Sequence, residues 1–128
     1  MAYKLLLVDD DIEIIDALKP PLQREGYELC TALDGEEGLR MVKECNPDII
    51  LLDLLMPKLN GFDVLKEIRT NMNDRWRPVI IISTSSDLAS VKKSYDMEAD
   101  HYLAKPCSVE TVLHGIKTMI SLLPARIK

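Results

Sequence analysis

Three short runs of this chain are apolar at every position, and they constrain its fold more than any other feature. The runs are Leu5–Val8, Ile49–Leu52 and Val79–Ile82. A strand with one face in water alternates polar and apolar residues, whereas a strand covered on both faces is apolar throughout. We therefore predict that these strands lie at the centre of a parallel sheet between two layers of helices.

Two further runs, Tyr27–Thr31 and His101–Ala104, mix polar with apolar residues, which is typical of edge strands. Apolar residues recur at helical spacing after each of the five runs. The 128 residues are enough for one domain. The pattern predicts a single α/β domain of five β-α units, with a doubly wound parallel sheet and right-handed crossovers.

Prolines interrupt two of the predicted helices. Pro20 and Pro21 lie inside the first helix, expected from about Ile12 to Glu25, and should kink or split it because they remove backbone hydrogen bonds. Pro124 is expected to end the last helix or to follow its end. The domain should then span residues 1–123, with residues 124–128 as a C-terminal tail or the start of a linker.

The three cysteines indicate neither a disulfide framework nor a structural zinc site. Their number is odd, and no two of them have the C-x-x-C spacing. Cys30 and Cys45 lie in apolar-periodic segments, so we expect them to pack as small hydrophobic side chains.

The charge balance argues against several classes of partner. There are 21 acidic and 16 basic residues, a net charge of −5, whereas phosphate binding favours a basic surface. The first apolar run is too short for a signal peptide or a membrane span. We therefore expect a cytoplasmic protein with no direct nucleic-acid partner and no membrane contact.

Polar side chains follow four of the five predicted strands. Asp9 and Asp10 follow the first, Asp53 the third, Ser83 the fourth and Lys105 the fifth. The carboxyl ends of parallel strands meet at one edge of the sheet, where open α/β sheets bind their ligands. Asp53 is the most informative of these residues, because an unpaired carboxylate inside an apolar run is costly.

These residue types point to phosphoryl chemistry. Neighbouring carboxylates repel one another, and Mg²⁺ relieves that repulsion while also bridging to phosphoryl oxygens. A lysine and a serine hydroxyl would stabilise the charge of a transferring phosphoryl group. Asp53 would be the nucleophile and would form an acyl phosphate. Asp11, the next acid in the chain, is most simply the N-cap of the first helix.

The chain resembles the receiver domain of two-component response regulators over nearly its whole length, from Lys4 to about Leu123. The resemblance lies in four motifs at the predicted strand ends. Each motif alone is weak, but all four in order at strand ends are highly specific. The motifs are Leu5–Asp11, Leu52–Pro57 with Gly61 after it, Pro78–Ser83 and Tyr102–Pro106.

The resemblance implies a flavodoxin-like fold with strand order 2-1-3-4-5 and a role in phosphorelay signal transduction. Asp53 would accept a phosphoryl group from a phosphohistidine on a sensor histidine kinase or a histidine phosphotransfer protein. The chain would then be a signalling phosphoprotein rather than an enzyme, catalysing only its own phosphorylation and dephosphorylation.

The resemblance also implies individual roles. Lys105 would pair with the phosphoryl oxygens, and the Lys105–Pro106 peptide bond would be cis. Ser83 and Tyr102 would be switch residues that repack the face made by helix 4, strand 5 and helix 5. That face would control a downstream effector domain or protein and could also form a homodimer. The implied ligands of Mg²⁺, or of Mn²⁺, are Asp9, Asp10, Asp53 and the backbone carbonyl of Leu55.

The chain departs from the family pattern at a few positions. Glu98 stands where the family usually has glycine, and Cys107 where it usually has phenylalanine. Both could alter the signalling face. Leu55 and Ser85 occupy positions that tune hydrolysis of the phosphoaspartate in this family. An apolar Leu55 could obstruct the attacking water, so we expect a longer-lived phosphoaspartate.

Three alternatives stay open at this point. A haloacid-dehalogenase-like phosphatase also uses Mg²⁺ and a nucleophilic aspartate, but Leu55 stands where that family has its second aspartate. A flavin- or dinucleotide-binding domain would need a phosphate-binding loop, and no G-x-G-x-x-G follows the first strand. A degenerate receiver could act only as a docking module, although all five pocket residues are present.

Overall fold

A computed structural model describes residues 2–126. Five strands and five helices alternate along the chain. In chain order they are β1 (Lys4–Val8), α1 (Ile12–Arg24), β2 (Glu28–Ala32), α2 (Gly35–Cys45), β3 (Ile49–Leu52), α3 (Gly61–Arg69), β4 (Val79–Ser83), α4 (Leu88–Asp96), β5 (His101–Ala104) and α5 (Val109–Arg126).

The strands form one parallel sheet in the order β2-β1-β3-β4-β5. The three strands that are apolar at every position, β1, β3 and β4, lie at its centre, and the two mixed strands lie at its edges. The predicted five-stranded, doubly wound, flavodoxin-like fold is confirmed. The unbroken apolar runs explain the arrangement, because each central strand contributes buried side chains to both faces of the sheet.

Two hydrophobic layers cover the sheet. On one face, residues such as Leu6 and Ile50 pack with buried residues of α2 and α3, among them Val42 and Leu65. On the other face, a second cluster packs with α1 and α5. The alternation of side chains along each strand therefore supplies both layers from the same three central strands.

Helix α4 contributes least to the core. Ser94 is its only buried residue, and it donates a hydrogen bond from its hydroxyl to the carbonyl of Ser90. Leu88 is 82% exposed and Tyr95 is 45% exposed. Asp87 caps the start of the helix, since its side chain accepts a hydrogen bond from the backbone N–H of Ser90.

The expectation that Pro20 and Pro21 would split the first helix is wrong. α1 is a single helix that begins at its predicted cap, Asp11, and contains both prolines. Leu18 and Leu22 are buried on either side of the proline pair, 7% and 0% exposed. Their burial against the sheet holds the helical path despite the lost backbone hydrogen bonds.

The expectation that Pro124 would end the last helix is also wrong. α5 continues through Pro124 to Arg126. Leu123, the residue before the proline, is 2% exposed and anchors this turn to the core. The two final residues of the expected tail lie outside the described residues.

The expectation of unbonded cysteines is wrong for two of the three. Cys30 in β2 and Cys45 at the end of α2 form a disulfide, and only Cys107 is free among the described residues. α2 runs back along β2, which brings its last residue beside the middle of that strand. The pairing depends on this tertiary return of the chain, and no local spacing motif signals it.

Candidate functional site

The predicted polar residues lie at the carboxyl edge of the sheet. Asp9 follows β1, Asp53 follows β3, Ser83 is the last residue of β4 and Lys105 follows β5. The backbone N–H of Asp53 donates to the carbonyl of Val8, and the N–H of Lys105 donates to the carbonyl of Ser83. The sheet ladder therefore continues past the strands and fixes the backbones of both residues.

Three carboxylates meet at this edge. Asp9, Asp10 and Asp53 each offer an oxygen, and these oxygens lie within 4.8 Å of one another. Asp9 and Asp53 are 1% and 5% exposed, whereas Asp10 is exposed. This set of hard oxygen donors, two of them on buried residues and one on an exposed residue, fits a Mg²⁺ ion that keeps several waters.

Lys105 supplies the opposing charge. Its Nζ donates to Asp9 Oδ2 at 2.8 Å and lies 3.7 Å from Asp53 Oδ2, and the lysine side chain is 12% exposed. Burial disfavours the ammonium ion, but the hydrogen bond to Asp9 and the charge of Asp53 outweigh it. The pKa of Lys105 therefore lies above its ordinary value, and the residue remains a cation.

The negative charge of Asp53 is only partly compensated by its surroundings. Burial and the neighbouring charge of Asp9 raise the pKa of Asp53 to about 6, against the lowering influence of Lys105. Near neutral pH the side chain is thus ionised but poorly stabilised. An additional positive charge at this position would relieve that cost.

The segment after β3 shapes the mouth of the site. The backbone N–H of Leu55 donates to Asp53 Oδ1 at 3.3 Å, and the Leu55 side chain is 56% exposed. Gly61, the first residue of α3, donates its N–H to the carbonyl of Leu54. A Cβ at Gly61 would lie 2.3 Å from the Asp53 carbonyl oxygen, so only glycine permits this close approach.

Two expected switch residues lie on the neighbouring strands. Ser83 is fully buried, and its Oγ accepts a hydrogen bond from the backbone N–H of Ser85. The half-buried Tyr102 donates its hydroxyl to the carbonyl of Ser85, and burial raises the pKa of that hydroxyl. The Lys105–Pro106 peptide bond is cis. Ser85, in the loop after β4, therefore contacts both Ser83 and Tyr102.

A second charged cluster, which we call the Arg69 clamp, lies at the opposite end of the sheet. Arg69 is 2% exposed, and its guanidinium donates to the carbonyls of Glu98, Asp74 and Arg77 and to Asp100 Oδ2. The clamp holds the turn before β5, where Glu98 has a φ of +71°, a backbone conformation uncommon for residues other than glycine.

Sequence reasoning missed the Arg69 clamp. An arginine in the last turn of a helix is usually solvated or caps that helix, so its sequence context gave no signal. The one available hint was Glu98 itself, since a non-glycine residue at a turn position needs contacts to hold it.

Comparison with known proteins agrees with this geometry. A family model described as the response regulator receiver domain matches residues 5–117. A crystal structure of a CheY-like response regulator receiver domain protein from Methanospirillum hungatei has a TM-score of 0.91 at 26% identity, with 98% of each chain covered. The structure of the chemotaxis response regulator CheY4 of Vibrio cholerae has a TM-score of 0.86 at 30% identity, covering 93% of this chain and 99% of that one.

Among curated relatives, the alkaline phosphatase synthesis transcriptional regulatory protein PhoP of Bacillus subtilis is 33% identical over 120 residues. The match covers 94% of this chain and 49% of that protein. The chain spans about half the length of the curated relatives it matches.

Proposed function

The chain belongs to the family of response regulator receiver domains, and from that premise we propose that it accepts a phosphoryl group on Asp53. The donor would be a phosphohistidine on a sensor histidine kinase or a histidine phosphotransfer protein. One observation carries the proposal: the Lys105 ammonium lies between Asp9 and Asp53, at 2.8 and 3.7 Å, within a cluster of three carboxylates.

The carboxylate cluster provides for a divalent cation. Asp9, Asp10 and Asp53 would hold Mg²⁺, or Mn²⁺, together with the backbone carbonyl of Leu55. When bound, the ion would neutralise carboxylate charge and stabilise the oxygens of the transferring phosphoryl group. Without it, three carboxylates face one lysine, and the raised pKa of Asp53 reflects that imbalance.

The transfer itself would be an in-line displacement at phosphorus. A carboxylate oxygen of Asp53 attacks, the new P–O bond forms, and the P–N bond to the donor imidazole breaks. The imidazole nitrogen leaves with the bonding pair, and Asp53 becomes an acyl phosphate. Lys105, already held by Asp9, would move its charge toward the phosphoryl oxygens with little reorganisation.

The signal would then pass to the face made by α4, β5 and α5. Phosphorylation adds about two negative charges beside Ser83 and Tyr102. Both residues contact the backbone of Ser85, so movement of either would move the loop that leads into α4. A downstream effector domain or protein, or a second copy of the chain, would bind this face.

The proposed setting is that of a cytoplasmic signalling domain with no turnover of an external substrate and no direct contact with nucleic acid or membrane. Within residues 2–126, no helix is both long enough and apolar enough to cross a bilayer. The relatives include transcriptional regulators about twice as long as this chain, which supports control of an attached or separate effector.

Binding of a phosphoryl mimic tests the proposal. Beryllofluoride should bind the purified chain only when Mg²⁺ is present, and Asp53→Asn should abolish binding, measured by calorimetry. Asp63→Asn, at an exposed acid in α3, is the matched control and should bind like the wild type. Equal binding by Asp53→Asn and wild type would refute the assignment of Asp53.

A further inference from the structure

Two of the three cysteines are joined across a β-α unit. Cys30 lies in the middle of the edge strand β2, and Cys45 is the last residue of α2. Their Cα atoms are 6.7 Å apart, within the range that a disulfide spans. Cys30 is partly exposed, whereas Cys45 is 6% exposed. Cys30 is therefore the more exposed of the two residues, and Cys45 belongs to the core.

The helix that carries Cys45 packs against the end of β1 and against the loop between β3 and α3. Gly38 packs so closely on Val8, the residue before Asp9, that a Cβ there would lie 2.9 Å from its side chain. A Cβ at Gly35 would lie 2.2 Å from the carbonyl oxygen of Leu59, in the loop that follows Asp53. The packing of α2 therefore contacts the residue before Asp9 and the loop that follows Asp53.

The other end of α2 is attached to neighbouring segments by hydrogen bonds. Its last carbonyl accepts a hydrogen bond from Lys4 Nζ at 3.1 Å. Asn46 then ends the helix in the left-handed conformation. Among the described residues, the disulfide between Cys30 and Cys45 is the one covalent bond between a side chain of α2 and a side chain of the sheet.

We propose that Cys30 and Cys45 form a reversible thiol–disulfide site that fixes α2 to β2 when oxidised. The oxidant would be a low-molecular-weight disulfide, with glutathione disulfide as the experimental probe. This inference does not rest on the proposed phosphoryl function, since it concerns a different pair of side chains and has its own readout.

The exchange balances without any further reactant. The more exposed Cys30 thiolate attacks one sulfur of glutathione disulfide and releases one glutathione thiolate. The Cys45 thiolate then attacks the Cys30 sulfur of the mixed disulfide and releases the second. Two electrons pass from the cysteine pair to glutathione disulfide, and the two cysteine protons end on the two glutathione thiols. Excess reduced glutathione runs the same steps in reverse.

The first experiment counts thiols. The full chain is equilibrated without denaturant in glutathione buffers of graded ratio, quenched with acid, alkylated with N-ethylmaleimide and weighed by mass spectrometry. We expect three alkylated cysteines in reduced buffer and one, Cys107, in oxidised buffer. The Cys107→Ser control should keep the two-thiol step, and Cys30→Ser should lose it. Three reactive thiols at every ratio, or glutathione adducts in place of the internal disulfide, would overturn the proposal.

The second experiment compares the two redox forms of the wild-type chain, so it does not depend on whether a variant folds. Amide hydrogen exchange in α2 should be at least about tenfold slower in the oxidised form, with α5 unchanged as the internal control. Cross-linking of a 15-residue separation should also raise the melting temperature by about 10 °C. Equal exchange in α2 in the two forms would show that the disulfide does not fix the helix.

Discussion

The two ends of the sheet carry buried charges in opposite ways. At the amino end, the guanidinium of Arg69 donates to three backbone carbonyls and to Asp100. At the carboxyl end, the carboxylates of Asp9, Asp10 and Asp53 face one ammonium, that of Lys105. The first cluster is compensated within the protein, whereas the second retains negative charge.

This difference separates a structural charge from a functional one. A buried ion whose hydrogen-bond partners are all in place contributes to holding the folded structure. Removing one of those partners destabilises the fold strongly, because a buried charge is left uncompensated. A cluster left with excess charge instead stores an unfavourable energy that a ligand can relieve. The pKa of Asp53, raised to about 6, reflects this unfavourable energy, because the ionised form of the side chain is disfavoured.

The largest effect should come from breaking the Arg69 clamp. Arg69→Ala should lower the free energy of unfolding by about 3–5 kcal/mol, because three carbonyls lose their arginine donor and Asp100 loses one of its donors. Urea denaturation monitored by circular dichroism measures this loss. Arg40→Ala, whose side chain is 60% exposed, should change stability by less than about 0.5 kcal/mol. A loss below about 1 kcal/mol for Arg69→Ala would mean that the buried Arg69 charge is not a structural one, and the proposed difference between the two ends of the sheet would fail.

Removing a charge at the other end should have the opposite sign. Asp53→Asn should raise the free energy of unfolding by about 1–2 kcal/mol at pH 7.5 without divalent cations, since it abolishes a poorly compensated buried carboxylate. Urea titration measures the gain, with Asp63→Asn as the neutral control. A destabilised Asp53→Asn would mean that the carboxylate is well compensated by the protein.

The sign of the pH dependence follows from the direction of the shift. Because the pKa of folded Asp53 is raised, its stabilising contribution is complete below its ordinary value near 4 and is lost as the pH rises through about 6. The advantage of Asp53→Asn over wild type should therefore be full above pH 6 and should shrink toward pH 4.

Much of this arrangement could be predicted from sequence. The unbroken apolar runs predict the central strands, and the polar residues after them predict which side chains meet at the carboxyl edge. These signals are local, because strand burial and strand ends both leave a pattern over a few neighbouring residues. Asp53 is the best example, since a carboxylate after four buried aliphatic residues is costly without a partner.

The features that sequence reasoning missed depend on distant contacts. The partner of Cys45 is set by the return of α2 along β2. The continuity of α1 through Pro20 and Pro21 depends on the burial of leucines on both sides of them. The partners of Arg69 come from the segments before β4 and β5. None of these could be read from neighbours in the chain.

The charge excess also predicts a pH-dependent affinity for Mg²⁺. Binding requires ionised Asp53, so the affinity should be constant above pH about 6 and fall by about tenfold for each pH unit below it. Calorimetric titration from pH 7.5 to pH 5 measures the fall. Asp53→Asn, tested at the same pH values, should bind more weakly and lose this dependence. A wild-type affinity for Mg²⁺ that does not change with pH would mean that Asp53 is not a ligand of the ion.

The smallest effect concerns the mouth of the site. The exposed Leu55 side chain could obstruct the water that hydrolyses the phosphoaspartate. Leu55→Asn should therefore shorten the phosphoaspartate lifetime a few-fold, measured with Mg²⁺ present by loss of radiolabel. Leu122→Asn, at an exposed leucine of α5, is the matched control and should leave the lifetime unchanged. An unchanged or longer lifetime for Leu55→Asn would show that the Leu55 side chain does not obstruct the attacking water.

Helix α4 offers the domain a segment that is inexpensive to displace. Ser94 is its only buried residue, and Leu88 remains 82% exposed. Few apolar contacts would be lost if the helix shifted or frayed, so its local opening free energy should lie far below that of the whole domain. A modest perturbation could then redistribute the conformations of α4 while the sheet, fixed by its buried strands, stays unchanged.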